Sequence, residues 1–444
     1  MAERKENAKQ AAAAGSAADT PESPPPRRFM LALLFVLGIW AATAFWQSVK
    51  PLPPGTRVSS LGVRLSESQV ELTYDAIGLL ANIDRAEQAI VLDQCPLARD
   101  VAQHLLARKR QRPNLKIVLI TDPVNEAYGG TPAQHLATLE QAGIIVVRVR
   151  LERLRDSNPL YSALWRLGVG WWSDPYDEAP GQLSLRSTLR QLNYRADRRQ
   201  LMVTDDGSGG WLGMITGGGS LGIQLRGGLA RDMAASELDI AAWSTGEDRL
   251  PALPPPEGRG LGSIDARFLT EGAIRNALLD ALATAGGGDL ISIAVRRLSD
   301  RALIDALLRA AQRGAQLRIA LDAAAAPNLP VAAELMRAGQ ERIEVRWMGR
   351  GETAARTPLT LIQHRGELWA DLGGADYSRP SLEDFNLTAA VELRLPVRAA
   401  AARALLLRFA ALWTAAEPGA PQSGDSSPGY WRYRALAASG LAGF

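Results

Sequence analysis

EGAIRNALLDALATAGGGDLISIAV (271–295) and SDRALIDALLRAAQRGAQLRIALD (299–322) carry the reading of the fold. In each, apolar residues at helical spacing give way to a short, unbroken apolar run, so the order is helix, strand, helix, strand. The second helix closes at Gly314 and the second strand ends at Asp322. The same order occurs earlier in the chain. LTYDAIGLLANIDRAEQ (72–88) and LARDVAQHLLARKRQ (97–111) are the helices; AIVLD (89–93) and LKIVLITD (115–122), ending at Asp122, are the strands. A third strand follows in each half, IIVVRVR (144–150) and RIEVRWM (342–348). Strands that are apolar throughout are buried on both faces, which predicts an α/β chain with mostly parallel sheets flanked by helices. Two copies of one unit are therefore expected, at 62–250 and 263–416. The Pro- and Gly-rich stretch 251–262 links them, and a loose tail rich in Gly, Pro and Ser follows at 417–444.

Ahead of this body, residues 1–28 are rich in Ala, Pro and charge and read as a disordered tail. Phe29 to Trp46 is an uncharged apolar run, and 29–47 is long enough to span a bilayer core as a helix. The basic residues lie mainly before it (Arg4, Lys5, Lys9, Arg27 and Arg28), which places the N-terminus in the cytoplasm and the main domains outside. The alternative is a cleaved signal peptide, with Ala42-Thr43-Ala44 as its small-x-small site; the aromatics after Ala44 suit an anchor better. Residues 48–61, with Pro51, Pro53 and Pro54, form a stiff spacer off the bilayer.

The 444 residues are 47% hydrophobic and 22% charged, with a net charge of +3. No basic run is long enough to track a phosphate backbone, so no nucleic-acid partner is expected. Cys95 is the single cysteine, which excludes an internal disulfide, and it reads as a small buried hydrophobe. His104, His135 and His364 are the three histidines and none has metal-ligand spacing, so neither a metal centre nor a cofactor is expected.

After its third strand each half carries a hairpin pattern that runs into a small-residue loop: NYRADRRQLMVTDDGSGGWLGMITGGGS (193–220) and RTPLTLIQHRGELWADLGGADYSRPSLEDFNL (356–387). With ITDPVNEAYGG (120–130), LRDSNPLYSALWRL (154–167) and LSLRSTLRQLNYRADRR (183–199), these stretches resemble the phospholipase D superfamily, in its bacterial phospholipase D-like and cardiolipin-synthase-like branch. The resemblance runs from about residue 68 to 415. It implies two phospholipase D-like units related by a pseudo-two-fold axis, behind one N-terminal transmembrane helix, and a place in the inner membrane of a bacterium.

The family's unit carries His-x-Lys-x4-Asp on the first hairpin strand and a Gly-Ser type loop after the second. Laid on that pattern, the first histidine falls on Arg198, the lysine on Gln200 and the aspartate on Asp205. In the second half the histidine falls on Arg356 and the lysine on Pro358; a register shifted by one supplies no His or Lys either. The small loops survive as Gly217-Gly218-Gly219-Ser220 and Gly373-Gly374-Ala375-Asp376, and Glu383 and Asn386 remain downstream. In the family one imidazole attacks phosphorus and the other protonates the leaving alcohol, while lysines hold the oxygens. Arginine stays protonated at any working pH and does neither of the first two jobs.

The resemblance therefore implies a membrane-anchored pseudoenzyme that binds phosphate groups or anionic phospholipid headgroups. Arg198, Arg356, Gly217, Gly218, Gly373, Gly374, Asp376 and Glu383 are the candidate binding residues. Two other readings stand beside it. One is an active phosphodiesterase or phosphatidyltransferase with an unrecognised site. The other is a membrane-tethered interaction module, in which NPLYSALWRLGVGWW (158–172) docks on a bilayer or a protein; the plainer reading of that segment is a core helix joining the halves. Asp122 is expected to cap the turn after its strand, and Ser381 to Asp384 to brace a loop or cap a helix, with Glu383 supporting the cleft arginines.

Overall fold

The computed structural model describes residues 27–73, 77–122, 133–169, 195–216, 221–246, 250–258, 260–325, 328–349 and 358–419. The expected tails lie outside them, except that Arg27 and Arg28 open the first helix and Glu417 to Gly419 close the last sheet. The apolar N-terminal run forms α1 (Arg27–Val49), 23 residues with one buried side chain, Ala44. It is long and apolar enough to cross a membrane by length and composition.

The first half then follows the pattern of its sequence. After β1 (Val63–Leu65) and β2 (Val70–Thr73) come α2 (Ile77–Arg85), β3 (Ala89–Asp93), α3 (Arg99–Gln111), β4 (Lys116–Thr121), α4 (Ala133–Gln141) and β5 (Ile145–Arg148). A short helix, α5 (Pro159–Leu164), continues as a wider turn through Val169. The hairpin is β6 (Leu201–Asp205) and β7 (Trp211–Thr216), followed by β8 (Gly222–Arg226) and α6 (Leu229–Thr245). The second half repeats this with β9 (Ile264–Thr270), α7 (Gly272–Thr284), β10 (Leu290–Val295), α8 (Arg301–Gln312), β11 (Gln316–Asp322), α9 (Asn328–Gly339) and β12 (Ile343–Met348). Its hairpin is β13 (Leu359–His364) and β14 (Glu367–Gly373). Then come α10 (Arg379–Leu382), β15 (Ala389–Pro396), α11 (Ala400–Ala415) and β16 (Glu417–Pro418).

Among the described residues the strands form two sheets, ordered β2-β8-β7-β6-β3-β4-β5 and β1-β9-β15-β14-β13-β10-β11-β12-β16. The expectation of mostly parallel sheets is corrected here. Only β3-β4-β5 and β10-β11-β12 pair in parallel, because only there does a helix carry the chain back to the same end. The hairpins force antiparallel pairing over the rest of each sheet. In the second hairpin Arg365 and Gly366 both take positive φ, the conformation of a two-residue type I′ turn.

One face of each sheet looks into a common core. Val91, Val118 and Val203 of the first sheet and Phe268, Leu361 and Val391 of the second belong to it, with α6 and α11 packed in from either half. Each outer face lies under its own helices, with separate clusters around Leu105 and Leu119 and around Leu307 and Ile319. The halves also exchange chain, since β1 pairs with β9 of the second sheet.

The α5 segment is not the core helix that its sequence suggests. Only Ser162 and Ala163 are buried, Leu160 and Leu164 are exposed, and the helix lies along α1, where Trp40 Nε1 donates to Leu160 O at 3.1 Å. Residues 170–172 of that segment lie outside the described chain.

Candidate functional site

The units meet where the loop entering β6 runs beside the segment that links β14 to β15. Asp197 bridges Leu387 in parallel, Arg198 N donates to Leu387 O at 2.9 Å, and Leu387 N donates to Ala196 O at 3.0 Å. Asn386 seals the seam, its Oδ1 accepting from Ala196 N at 3.0 Å. Gly374 is where the backbones come closest: a Cβ there would sit 2.3 Å from Arg198 O, so only glycine fits. Gly373 is equally confined, with Ala389 O at 2.3 Å from a Cβ position.

On this seam Arg198 of the first unit reaches Asp376 of the second, Nη1 to Oδ2, at 2.9 Å with the guanidinium half exposed. Arg297, more than half buried, faces the same pair. Burial and the neighbouring Arg198 and Arg296 lower its pKa, against the pull of Asp376. Arg296 lies 3.7 Å from Asp322. Arg198 of the first half and Arg297 of the second thus both face Asp376.

The other sequence candidates fall as follows. Arg356, Gly217 and Gly218 lie outside the described residues. Gln200 adopts φ +47°, and its carbonyl accepts from Thr216 N at 2.9 Å. Asp205 is a structural residue at the far end of β6, accepting from the backbone N–H groups of Glu87, Gln88, Ala89 and Gly207 at 2.8–3.2 Å. Pro358 is buried and its carbonyl accepts from Gly373 N. Glu383 does not reach Arg198; it pairs with Arg379 at 2.8 Å and Arg275 at 3.2 Å. Asp122 is buried and turned inward, its Oδ2 accepting from Asp197 N at 3.3 Å. Within the 381–384 stretch the brace is real: Asp384 Oδ1 accepts from Gly272 N, and Ser381 O accepts from Thr388 Oγ1. His104 pairs with Asp84, and His364 pairs with Asp289 at 2.6 Å, at the turn end of β13 and away from the cleft.

Beneath the seam lies a cluster that the sequence pattern does not reveal. Arg199 is fully buried. It ion-pairs with Glu237 at 2.9 Å and Glu271 at 2.8 Å, and donates to Ser236 Oγ and Gly55 O. Asp93, Asp122 and Asp197 complete the group, so one guanidinium sits among five buried acids. Burial, then repulsion from Glu237, pushes the Asp197 carboxyl up to about 8, against the attraction of Arg199. Burial likewise raises Asp93 far above the carboxylate range, with Asp197 and Glu237 adding to it. Among the described residues, neither Asp93 oxygen accepts from a donor group, and Glu237 Oε2 is equally bare. A proton on Asp93 donated to Glu237 satisfies both, and it explains why the pair tolerates burial. A signal for these residues did exist: Asp93 ends a parallel strand, and Glu237 interrupts the apolar face of LARDMAASELDIAAW (229–243).

Among solved structures, phosphatidylserine synthase from Haemophilus influenzae Rd KW20 superposes with a TM-score of 0.56, covering 92% of this chain and 99% of that one at 9% identity. The chain has the phospholipase D fold. Nuc from Salmonella typhimurium, a phospholipase D family member, matches 35% of the chain and 98% of its own length at 15% identity and a TM-score of 0.28. Polyphosphate kinase from Porphyromonas gingivalis matches 85% of the chain and 54% of its own length at 12% identity and a TM-score of 0.43. No family model and no curated protein matches the sequence. In this phospholipase D fold the seam holds a permanent cation, Arg198, on its open side and a proton-sharing acid cluster on its closed side.

Proposed function

We propose that the protein is a membrane-anchored, phospholipase D-like binder of phosphate groups that has lost phosphodiester chemistry. Anchoring is read from the 23 apolar-rich residues of α1, with the basic residues before it kept in the cytoplasm. The observation that carries the binding reading is the Arg198–Asp376 ion pair across the two units. An arginine holds a phosphate oxygen through charge-assisted hydrogen bonds, but it cannot attack phosphorus or relay a proton. Arg297 faces the same pair, so among the described residues two guanidiniums, one from each half, stand beside Asp376, a setting that favours an anionic headgroup.

The test uses the purified full chain in neutral detergent. Short-chain phosphatidylglycerol is expected to bind by calorimetry, and Arg198→Gln to weaken the cleft's share of that binding about tenfold, the size of one charge-assisted contact. No hydrolysis or transfer product is expected over days. Product formation, or undiminished binding in the variant, refutes the reading.

A further inference from the structure

A second cationic cavity lies where α1 ends. Its volume is about 320 Å³, at the small end of the usual range for ligand pockets, and its lining includes Ser48, Arg57, Arg155, Arg275, Arg379 and Phe385. Ser48 belongs to the last turn of α1, and Pro159 on the rim opens α5. The chain leaving α1 is fastened to the cavity wall. Asp156 N donates to Gln47 O, and Arg155 Nε donates to Lys50 O at 3.1 Å.

Among the described residues, the arginines here outnumber the carboxylates they contact. Arg57 and Arg155 share a single oxygen, Asp384 Oδ2, at 3.2 and 3.4 Å, while Asp384 Oδ1 is taken by Gly272 N. Arg275 and Arg379 both draw on Glu383, and Arg275 also on Asp300. Asp156, fully buried, holds Arg195 and Arg166. Among the described residues, six guanidiniums contact Asp384, Glu383, Asp300 and Asp156, and Glu152 adds a fifth carboxylate beside Arg195. Burial, followed by the repulsion of Arg195 and Arg166, depresses the neighbouring Lys50 to about 7. The backbone holds this arrangement at a cost. Arg57, Glu271 and Asp384 take φ values of +53°, +46° and +65°, and the three contact one another or their immediate neighbours.

We infer that this cavity binds the phosphate group of an anionic phospholipid headgroup at the membrane surface, with Arg57 and Arg155 as its principal ligands. The inference rests on the reading of α1 as a membrane helix. A headgroup seated between Arg57 and Arg155 lies at the level where that helix leaves the bilayer. Its acyl chains then run along α1 and the exposed Leu160 and Leu164 of α5. The site shares no described side chain with the Arg198 cleft.

The experiment titrates the full chain in neutral detergent with dihexanoyl-phosphatidylglycerol and, separately, with inorganic phosphate. Arg57→Gln/Arg155→Gln is expected to weaken the lipid about tenfold at this site. Asp384→Asn keeps an acceptor for Gly272 N and tolerates positive φ, but frees both arginines; it is expected to tighten binding by about threefold, a gain that misfolding cannot imitate. Unchanged binding in the double variant, or no gain in Asp384→Asn, overturns the inference. Inorganic phosphate binding as tightly as the lipid overturns the headgroup assignment. Loss of lipid binding in Arg198→Gln alone rejects this cavity and leaves the inter-unit cleft standing, whereas loss in the double variant alone does the reverse. Release of the chain from native membranes by alkaline carbonate removes the anchor, and with it the membrane setting of the inference.

Discussion

Arg198 and Arg199 are sequence neighbours that face opposite ways. The loop entering β6 is extended enough to alternate its side chains, so Arg198 points to the seam and Arg199 into the acid cluster. The buried cluster makes stability depend on pH. Asp93, Asp197 and Glu237 are held above their ordinary values, so the folded chain binds more protons than the unfolded one between about pH 4 and pH 8. The stability they contribute is complete below the unfolded pKa near 4 and is lost as pH rises toward the Asp197 value of about 8. Asp371, raised to about 7 by burial, acts in the same direction. Urea midpoints are expected to fall from pH 5 to pH 8, and Asp197→Asn, which keeps an acceptor for Arg199 N, to flatten that fall. An equally steep fall in the variant would place the dependence elsewhere.

At the scale of elements, the two hairpins are pinned at corresponding corners by different side chains. Asp205 ties the end of β6 to the start of β3 through three consecutive backbone donors, and to its own turn through Gly207 N. Asp205→Ala leaves these N–H groups without an acceptor and is expected to cost about 3 kcal/mol or more by denaturant unfolding. Asp205→Asn, with one oxygen retained, costs less; equal loss in both would mean that charge, not hydrogen bonding, is what counts. In the second half the corresponding corner has changed polarity. His364 on the strand meets Asp289 in the loop, so a histidine that sits close to the motif in sequence serves as a structural pin. The α5 segment was the least legible element. Its apolar content fits a core helix as well as an exposed one, and only its packing along α1, with Leu160 and Leu164 exposed, distinguishes them.

For the molecule as a whole, the shared core decides cooperativity. Side chains from both sheets, together with α6 and α11, form one cluster, and β1 extends the sheet of the opposite half. Unfolding followed by tryptophan fluorescence and by far-UV circular dichroism is expected to give one coincident transition. Two separated transitions would show that each half holds its fold alone.

The repeating helix and strand pattern and the apolar N-terminal run could both be read from residue order. Each depends on local periodicity or on residue identity alone. Which strands pair in parallel, which arginine is buried, and which cations gather at the seam or beside α1 depend on residues far apart in sequence. Arg57, in the segment that follows α1, meets Asp384 and Glu271 of the second half, and Arg198 meets Asp376 where the two halves close on each other. Periodicity records which face of an element is apolar; it holds no record of which distant charges that face will bring together.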